Sequence, residues 1–202
     1  MVKNKIEQFG IIILAAGQSS RLGSPKQLLE FEGRKLIVGA VETASYFSLY
    51  PVVVVLGAHA EIIKSYLDMP NIKLVQNENW ENGVSTSIKK GVDVMKLYYP
   101  HVDGLILMVC DQPYLNHTTI QKLIDLQDQT GLGAAACEYD GILGTPALFH
   151  KSLFEELSIL EGDKGARKLL ENMKDKVACL PFSAGATDID TQEDYLKLIK
   201  GN

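Results

Sequence analysis

A loop of small residues with two cationic side chains follows the first apolar run of the chain. The stretch ILAAGQSSRLGSPKQLL, residues 13–29, changes from aliphatic to small residues at Ala15 and carries Arg21 and Lys26. Small residues let backbone N–H groups come close to an anion, and guanidinium and ammonium groups bind phosphate oxygens. The stretch is therefore a candidate anion-binding loop, and the alternative is a tight turn with two solvated cations. It has neither the GxxxxGK[ST] nor the GxGxxG pattern.

Three aspartates are candidate metal ligands. Asp111 directly follows the apolar run LILMVC, where a carboxylate would be costly to bury alone, so we expect it to face a crevice. Asp188 and Asp190 are two residues apart, a spacing that places both on one face of an extended segment. Phosphoryl chemistry uses Mg²⁺ held by one or two carboxylates. The alternative for Asp111 and for Asp190 is that each caps the helix that follows.

Three further segments carry polar residues of uncertain purpose. In NENWENGVSTSIKKG, Gly83 precedes a helix that opens with Ser85 and Ser87, whose hydroxyls could bind a base or ribose or only cap the helix. The string Gly144–Thr145–Pro146 predicts a rigid turn. Asp163 and Arg167 lie at a predicted helix start, where the arginine could hold an anionic acceptor or the segment could simply be a capped helix.

Alternating apolar and amphipathic stretches must position these residues. We predict strands at residues 9–16, 50–57, 72–77, 103–111 and 176–182, and two shorter ones around a loop or hairpin insertion at DGILGTP. We predict helices at residues 35–49, 59–68, 84–99, 117–131, 151–157, 163–173 and 191–200, with a cap near Asn116 and a stop at Gly131. This order predicts an α/β fold with a mostly parallel sheet covered by helices on both faces. Ligands of such sheets bind beyond the carboxyl ends of the strands, where the candidate loops meet.

Composition limits the classes of protein that are possible. The chain has 202 residues without an obvious linker, which predicts a single domain over residues 1–202. A net charge of −5 provides no basic field for nucleic acid. Three separated cysteines without a CxxC pattern predict reduced, mostly buried thiols. The stretch MVKNKIEQFG lacks an apolar signal region and no apolar run is long enough to span a membrane, so we expect a cytoplasmic protein.

The unusual strings together resemble one family. In order, LAAGQSSRLGSPKQLL, NENWENGVSTSI, CDQP, GTPALF, LEGDKGARKLL and DIDTQEDY resemble the molybdenum cofactor cytidylyltransferase group of the molybdopterin nucleotidyltransferases. The first string resembles the nucleotidyltransferase signature LxAGxxxRxGxxK and matches it at Leu14, Ala16, Gly17, Arg21, Gly23 and Lys26. The resemblance implies a three-layer, Rossmann-like sheet of the glycosyltransferase A type. Departures are GVSTSI at residues 83–88, where the family usually has GMSSSL, and Gln192, where relatives often have proline.

The resemblance also implies a reaction and a set of roles. The reaction is transfer of CMP from CTP to the terminal phosphate of molybdenum-bound molybdopterin, with Mg²⁺ as cofactor and pyrophosphate as product. CTP is implied by the two alanines before Gly17, since guanylyl-transferring relatives usually have two glycines there. The catalytic residues would be Arg21, Lys26 and Asp111. The metal would be bound by Asp111 and Asp190. The nucleotide would be bound by Leu14, Ala15, Ala16, Gly17, Gln18, Ser19, Ser20, Arg21, Lys26, Gly83, Ser85 and Ser87. The acceptor would be bound by Gly144, Pro146, Asp163 and Arg167.

Two other functions remain open at the level of sequence. One is a nucleotidyltransferase for a sugar phosphate or methylerythritol phosphate, whose enzymes SPKQLLEF also resembles, although CDQPYLN lacks their usual HDAARP segment. The other is a non-catalytic carrier that delivers the cofactor to a molybdenum hydroxylase, against which the intact Arg21, Lys26 and Asp111 argue. Whether the protein docks on such a hydroxylase or its chaperone is also open.

Overall fold

Apolar runs form the strands of the seven-stranded main sheet, as the pattern predicts, whereas a short two-stranded ribbon was not predicted. The computed structural model describes residues 5–200 apart from the side chain of Lys164; the first four residues of the N-terminal stretch lie outside this range. The strands of the described residues are β1 (Phe9–Ala15), β2 (Glu30–Phe31), β3 (Arg34–Lys35), β4 (Val52–Leu56), β5 (Ile72–Gln76), β6 (Gly104–Val109), β7 (Ala134–Tyr139), β8 (Ile142–His150) and β9 (Val177–Pro181). β2 and β3 form a small ribbon, and the other seven form the main sheet.

The main sheet has the order β5-β4-β1-β6-β8-β7-β9. β5, β4, β1 and β6 pair in parallel, β8 is antiparallel to β6 and β7, and β9 is parallel to β7. β8 therefore runs against all the others, and the sheet is mostly parallel as predicted. The carboxyl ends of the parallel strands and the first residues of β8 consequently lie along one edge.

Helices cover both faces of the sheet. They are α1 (Leu36–Ser45), α2 (Ala60–Lys64), α3 (Val84–Tyr98), α4 (His117–Thr130), α5 (Phe154–Ser158), α6 (Gly165–Asn172) and α7 (Gln192–Lys200). Successive side chains of a strand point to opposite faces. Ile11 and Ile13 accordingly pack into the core with α1, α2 and α4, whereas Ile12 and Leu14 pack into the core with α3, α5 and α6. The three-layer arrangement is thus built from residues that alternate along β1.

The predicted turn at Gly144–Thr145–Pro146 is wrong. These residues lie within β8, and the turn of the hairpin is the two-residue pair Asp140–Gly141, with φ values of 51° and 72°. Such a pair of positive φ values is typical of the hairpin turns that suit twisted strands. The ladder passes from Ala136↔Ala147 to Cys137↔Gly144, so a bulge leaves Thr145 and Pro146 outside it. A bulge tolerates a proline because no ladder hydrogen bond is required from it.

Other local expectations have mixed outcomes. The Asn116 side chain accepts a hydrogen bond from Thr119 N, and Gly131 ends α4 in the left-handed conformation, as predicted. α2 ends before its predicted range does, because the backbone hydrogen bonds that follow, such as Leu67 N to Lys64 O, join residues three apart and not four. Cys110 and Cys137 are buried free thiols, but Cys179 is exposed. Among the described residues, no helix is long and apolar enough to cross a membrane.

Candidate nucleotidyl-transfer site

The loop after β1, here called the nucleotide loop (residues 14–26), is held by hydrogen bonds from its own end. The Ser19 hydroxyl accepts a hydrogen bond from the backbone N–H of Lys26 at 3.0 Å. The buried Gln27 amide donates to Ala15 O at 3.0 Å and to Gly17 O at 2.9 Å. These contacts close the loop on itself and fix the backbone from which Lys26 projects.

A second segment packs directly against the nucleotide loop. Ala58 N donates to Ala16 O at 3.2 Å. A Cβ atom on Gly57 would lie only 2.5 Å from Ala16 O, so this close approach requires glycine at position 57. The His59 ring contacts Gln18 O at 2.9 Å. The end of β4 therefore supports the loop from the side.

The ammonium group of Lys26 lies among three carboxylates, here called the carboxylate cluster (Asp111, Asp188 and Asp190). Lys26 Nζ forms a close ion pair with Asp111 and lies 3.2 Å from Asp190 Oδ1 and 3.8 Å from Asp188 Oδ1. The Lys26 and Asp111 side chains are 18% and 13% exposed, so water screens their attraction only partly. Chain positions that are far apart in the sequence thus meet at one cation.

The ionisation of these groups reflects their proximity. Burial opposes the charged form of Lys26, but the facing carboxylates, Asp111 first, prevail and raise its pKa above the usual value. Partial removal from solvent, together with the Asp111 carboxylate, raises the pKa of Asp188 to about 6. Asp190 is also partly desolvated, but Lys26 and Arg21 outweigh this effect and hold its pKa below the ordinary value. The cluster therefore gathers more negative charge than Lys26 alone neutralises.

Asp190 is not the cap of α7, so that alternative is wrong. Thr191 Oγ1 accepts a hydrogen bond from Asp194 N at 3.2 Å, and Asp194 Oδ2 accepts one from Thr191 N at 2.9 Å. This reciprocal pair is a capping box. Asp190 instead accepts a hydrogen bond from Arg21 Nη2 at 2.5 Å. The capping alternative is wrong for Asp111 too, since Asn116 caps α4.

A cavity of about 330 Å³ opens beside the nucleotide loop. Among the predicted site residues, its walls include Leu14, Ala15, Ala16, Gly17, Gln18, Lys26, Gly83, Ser87, Asp111 and Asp163. Gly83 has φ of 99°, and a Cβ atom there would lie 2.6 Å from Asp163 Oδ1 and 2.7 Å from Gly162 O. The start of α3 and the segment before α6 therefore form one wall. Asp163, expected on the acceptor side, lies on this first cavity.

A second cavity, of about 240 Å³, adjoins the first and shares Leu14, Val84 and Val109 with it. Most of its walls are aliphatic side chains of α3, β6, β8 and α6. Of the predicted acceptor residues, Gly144 and Arg167 line it. The Arg167 guanidinium is half exposed and donates to Glu171 at 2.8 Å. An apolar pocket with one cation at its rim suits a ring system that carries an anionic group.

Other predicted residues lie outside both cavities. Ser85 is buried, and Pro146 is buried within β8. Ser19 holds the loop as described, Ser20 is exposed, and Arg21 lies with Asp190. Sequence reasoning missed Gln27 and Glu81, which line the first cavity together with Trp80. A glutamine directly after Lys26 is a weak signal, because glutamine is most often a surface residue.

The carboxylate cluster fits a divalent metal that arrives with a nucleotide. Among residues 5–200, no three His, Cys, Asp or Glu side chains are arranged to hold a metal ion by themselves. Asp111 and Asp190 are instead spaced around Lys26, each within ion-pair distance of it. Mg²⁺ is commonly bound by one or two carboxylates that share it with substrate phosphates. Asp111 and Asp190 match that donor set.

Comparison with known proteins identifies the class of this site. Residues 11–177 match the MobA-like NTP transferase domain, so the chain belongs to that family. The family and its relatives make the protein an enzyme of the nucleotidyltransferase class. The resemblance deduced from the sequence is therefore confirmed.

Individual relatives carry different names. The chain is 31% identical to nicotine blue oxidoreductase of Paenarthrobacter nicotinovorans over 93% of this chain and 95% of the relative. It is 28% identical to molybdenum cofactor cytidylyltransferase of Escherichia coli over 92% of each chain. Family membership therefore establishes the class of reaction but not the acceptor.

Solved structures confirm the fold. Rv0371c of Mycobacterium tuberculosis superposes with a TM-score of 0.84 at 29% identity, covering 98% of this chain and 100% of that one. A second Rv0371c structure, a complex with manganese, has a TM-score of 0.80 at 26% identity over 97% of this chain and 100% of that one. That relative binds a divalent metal on this fold.

Proposed function

We propose that the protein transfers CMP from CTP to the terminal phosphate of a molybdopterin-type acceptor, in a metal-dependent reaction that releases pyrophosphate. The observation that carries this proposal is the position of Lys26, which links a closed anion-binding loop to the carboxylate cluster at the mouth of a cavity. A triphosphate in the loop would bring its phosphorus atoms between the cations and the carboxylates. The E. coli relative named molybdenum cofactor cytidylyltransferase supports the choice of reaction.

The chemical step needs positioning and charge neutralisation rather than a base. An acceptor phosphate oxygen forms a bond to the α-phosphorus of CTP while the bond from that phosphorus to the bridging oxygen breaks. The electron pair of the broken bond leaves with pyrophosphate. A phosphate monoester has a second pKa of about 6, so its oxygen is already anionic at neutral pH. Lys26 and Arg21 would stabilise the charge that develops on the triphosphate.

The metal would be held by Asp111 and Asp190. A bound divalent ion, Mg²⁺ in this proposal, supplies positive charge against the phosphate oxygens. Lys26 and Arg21 now pair with the same carboxylates. When the triphosphate takes these cations, Asp111 and Asp190 become free to bind metal. Asp188, the third member of the cluster, adds negative charge beside them.

The two cavities would divide the substrates between them. Gly83 and Ser87 on the wall of the first cavity support binding of the base and ribose there, with buried Ser85 behind them. The two alanines of the nucleotide loop, Ala15 and Ala16, favour CTP. The aliphatic second cavity, with Gly144 in its wall and Arg167 at its rim, supports an acceptor with a ring system and a phosphate. Pro146 and Asp163 would shape the adjoining walls.

Pyrophosphate release with each of the four nucleoside triphosphates tests the proposal. The reaction is run in Mg²⁺, with and without molybdenum-loaded molybdopterin, and Lys26→Met serves as the inactive control. We expect release with CTP only, and only when the acceptor is present. Pyrophosphate release with a sugar or polyol phosphate instead would show that this phosphate is the acceptor. Tight CTP binding without release on any acceptor would support a carrier and contradict the proposal.

A further inference from the structure

Two buried glutamines directly follow the two central charged residues of the site. Gln27 follows Lys26 and is 1% exposed, and Gln112 follows Asp111 and is 9% exposed. The Oε1 atom of each is buried and has no hydrogen-bond partner among the described residues. Burying an amide oxygen without a hydrogen-bond partner destabilises the folded state. An apolar side chain of the same size would avoid this cost, so the amides do something other than fill space.

The amide nitrogen of Gln27 holds the nucleotide loop. Its two hydrogen bonds go to Ala15 O and Gly17 O, on either side of Ala16. In a trans peptide, the N–H of the next residue points away from the carbonyl oxygen. Fixing Gly17 O on Gln27 therefore turns the N–H of Gln18 to the opposite side. One side chain thus sets the orientation of two peptide groups in the loop.

The amide nitrogen of Gln112 holds a different wall. It donates to Thr145 O in β8 at 2.9 Å and to Gly185 O at 3.2 Å. Gly185 lies three residues before Asp188, in the segment that carries two members of the carboxylate cluster. Asp111 is the third member and precedes Gln112 in the chain. Gln112 therefore ties the two segments of the cluster to each other.

We infer that Gln27 and Gln112 are positioning residues with separate tasks, Gln27 for the triphosphate-binding backbone and Gln112 for the metal-binding carboxylates. This inference rests on the proposed function, because it assigns one glutamine to the triphosphate and the other to the metal of that site. Neither side chain has to touch a substrate. Each acts through the main chain that it holds.

The test replaces each glutamine with methionine, which has a similar size but cannot donate a hydrogen bond. Binding of CTP is measured calorimetrically in EDTA, and binding of Mn²⁺ to the CTP complex is measured by electron paramagnetic resonance. Gln127→Met is the matched control. Gln127 is also buried and donates to a backbone carbonyl, Leu132 O at 3.0 Å, but it lies in α4 away from both cavities. Thermal melting reports the effect of each change on folding.

A crossed pattern is expected. Gln27→Met is expected to weaken metal-free CTP binding about tenfold, because the loop loses the two hydrogen bonds from Gln27 to Ala15 O and Gly17 O. The affinity for Mn²⁺ should stay within about twofold of the unaltered protein's. Gln112→Met is expected to weaken Mn²⁺ binding about tenfold and to leave metal-free CTP binding within about twofold. Gln127→Met lowers the melting temperature and changes neither affinity. If Gln112→Met does not fold, Gln112→Asn, which keeps a shortened amide, is measured in its place.

Two results would overturn the inference alone. One is that all three methionine variants lower the melting temperature without changing either affinity. The other is that Gln27→Met and Gln112→Met weaken both affinities equally, because the glutamines would then share one structural task. An unaltered protein that binds none of the four triphosphates would overturn the proposed function and the inference with it.

Discussion

The nucleotide loop and the carboxylate cluster meet at the ammonium group of Lys26, but the chain builds them in different ways. The loop is one continuous segment, closed by the bond between Lys26 N and Ser19 Oγ and by the side chain of Gln27. The cluster takes Asp111 from the end of β6 and Asp188 and Asp190 from the segment before α7. Its geometry therefore depends on the pairing of β6 with β8 and of β7 with β8 and β9.

The nucleotide loop depends less on the rest of the fold than the carboxylate cluster does. Once β1 and β4 have formed, the hydrogen bonds of Ser19, Gln27 and Ala58 are enough to hold the nucleotide loop. The carboxylates repel one another and need a cation and a held backbone to stay together. Changes near the loop should therefore affect nucleotide affinity, and changes near the cluster should affect metal affinity.

Loss of Lys26 should have the largest effect, because this residue belongs to both parts. Lys26→Met is expected to lower kcat about 100- to 1,000-fold, as removal of a group that stabilises transition-state charge does. Steady-state pyrophosphate release measures it. Lys151→Met, which removes a lysine paired with Asp103 at the opposite edge of the sheet, should retain normal kcat. Activity of Lys26→Met within a few-fold of normal would remove Lys26 from the chemistry.

The carboxylate cluster should respond through its metal dependence. Asp111→Asn is expected to raise the Mg²⁺ concentration for half-maximal rate by at least about tenfold, since a carboxylate ligand becomes a weaker amide. Asp190→Asn should shift it less, because its side chain is 37% exposed against 13% for Asp111. Magnesium titrations at saturating CTP compare the two. Metal-free CTP binding should tighten in Asp111→Asn, which frees Lys26; weaker binding would contradict the separation of the two parts.

Gly83→Ala should destabilise the wall of the first cavity, because the backbone at this position does not admit a side chain. Its φ of 99° and the 2.6 Å approach of a Cβ atom to Asp163 Oδ1 both oppose a side chain. We expect a loss of about 1–3 kcal/mol in the free energy of unfolding and weaker CTP binding. Gly33→Ala is the matched control, because Gly33 has φ of 79° but nothing within 4 Å of a Cβ atom. Equal losses of stability in urea unfolding would show that the contact with Asp163 and Gly162 is unimportant.

The Asp103–Lys151 ion pair should have the smallest effect and should touch neither part. The hydrogen bond that the Asp103 carboxylate accepts from Lys151 holds the pKa of Asp103 below the ordinary value. A lowered folded-state pKa contributes stability above the unfolded pKa of about 3.9, and this stability is lost as the pH falls through the folded value. Asp103→Asn should therefore cost less than about 1 kcal/mol at pH 7, since Lys151 is largely exposed, and nothing at pH 2. Urea unfolding at both pH values checks it, and a pH-independent cost would refute it.

The sequence predicted the continuous parts of the molecule better than the assembled ones. Apolar runs identified β1, β4, β5 and β6, because a buried strand is a local pattern. The string around Arg21 and Lys26 is local too, and its assignment to a nucleotide stays a prediction. Gly144–Pro146 misled because glycine and proline usually indicate turns, whereas here a bulge admits them to β8. Asp190 and Thr191 can both cap a helix, and only the folded chain separates them: Thr191 forms a capping box with Asp194, whereas Asp190 contacts Lys26 and Arg21.

The two glutamines were beyond the reach of sequence patterns for a different reason. A glutamine has no period or spacing that reveals which distant carbonyl it will bind. Its role becomes visible only when the folded chain brings Gly185 and Thr145 to Gln112.

The two-residue turn of the β7–β8 hairpin is a place where residues can be added without disturbing the sheet. Asp140 and Gly141 lie at the same edge of the sheet as the nucleotide loop, and the first residues of β8 line the second cavity. Extra residues inserted at this turn would lie beside the first residues of β8 and leave the register of Ala134–Tyr139 with β8 intact. If the second cavity binds the acceptor, as proposed, residues added at this turn would change acceptor preference and leave the nucleotide loop unchanged.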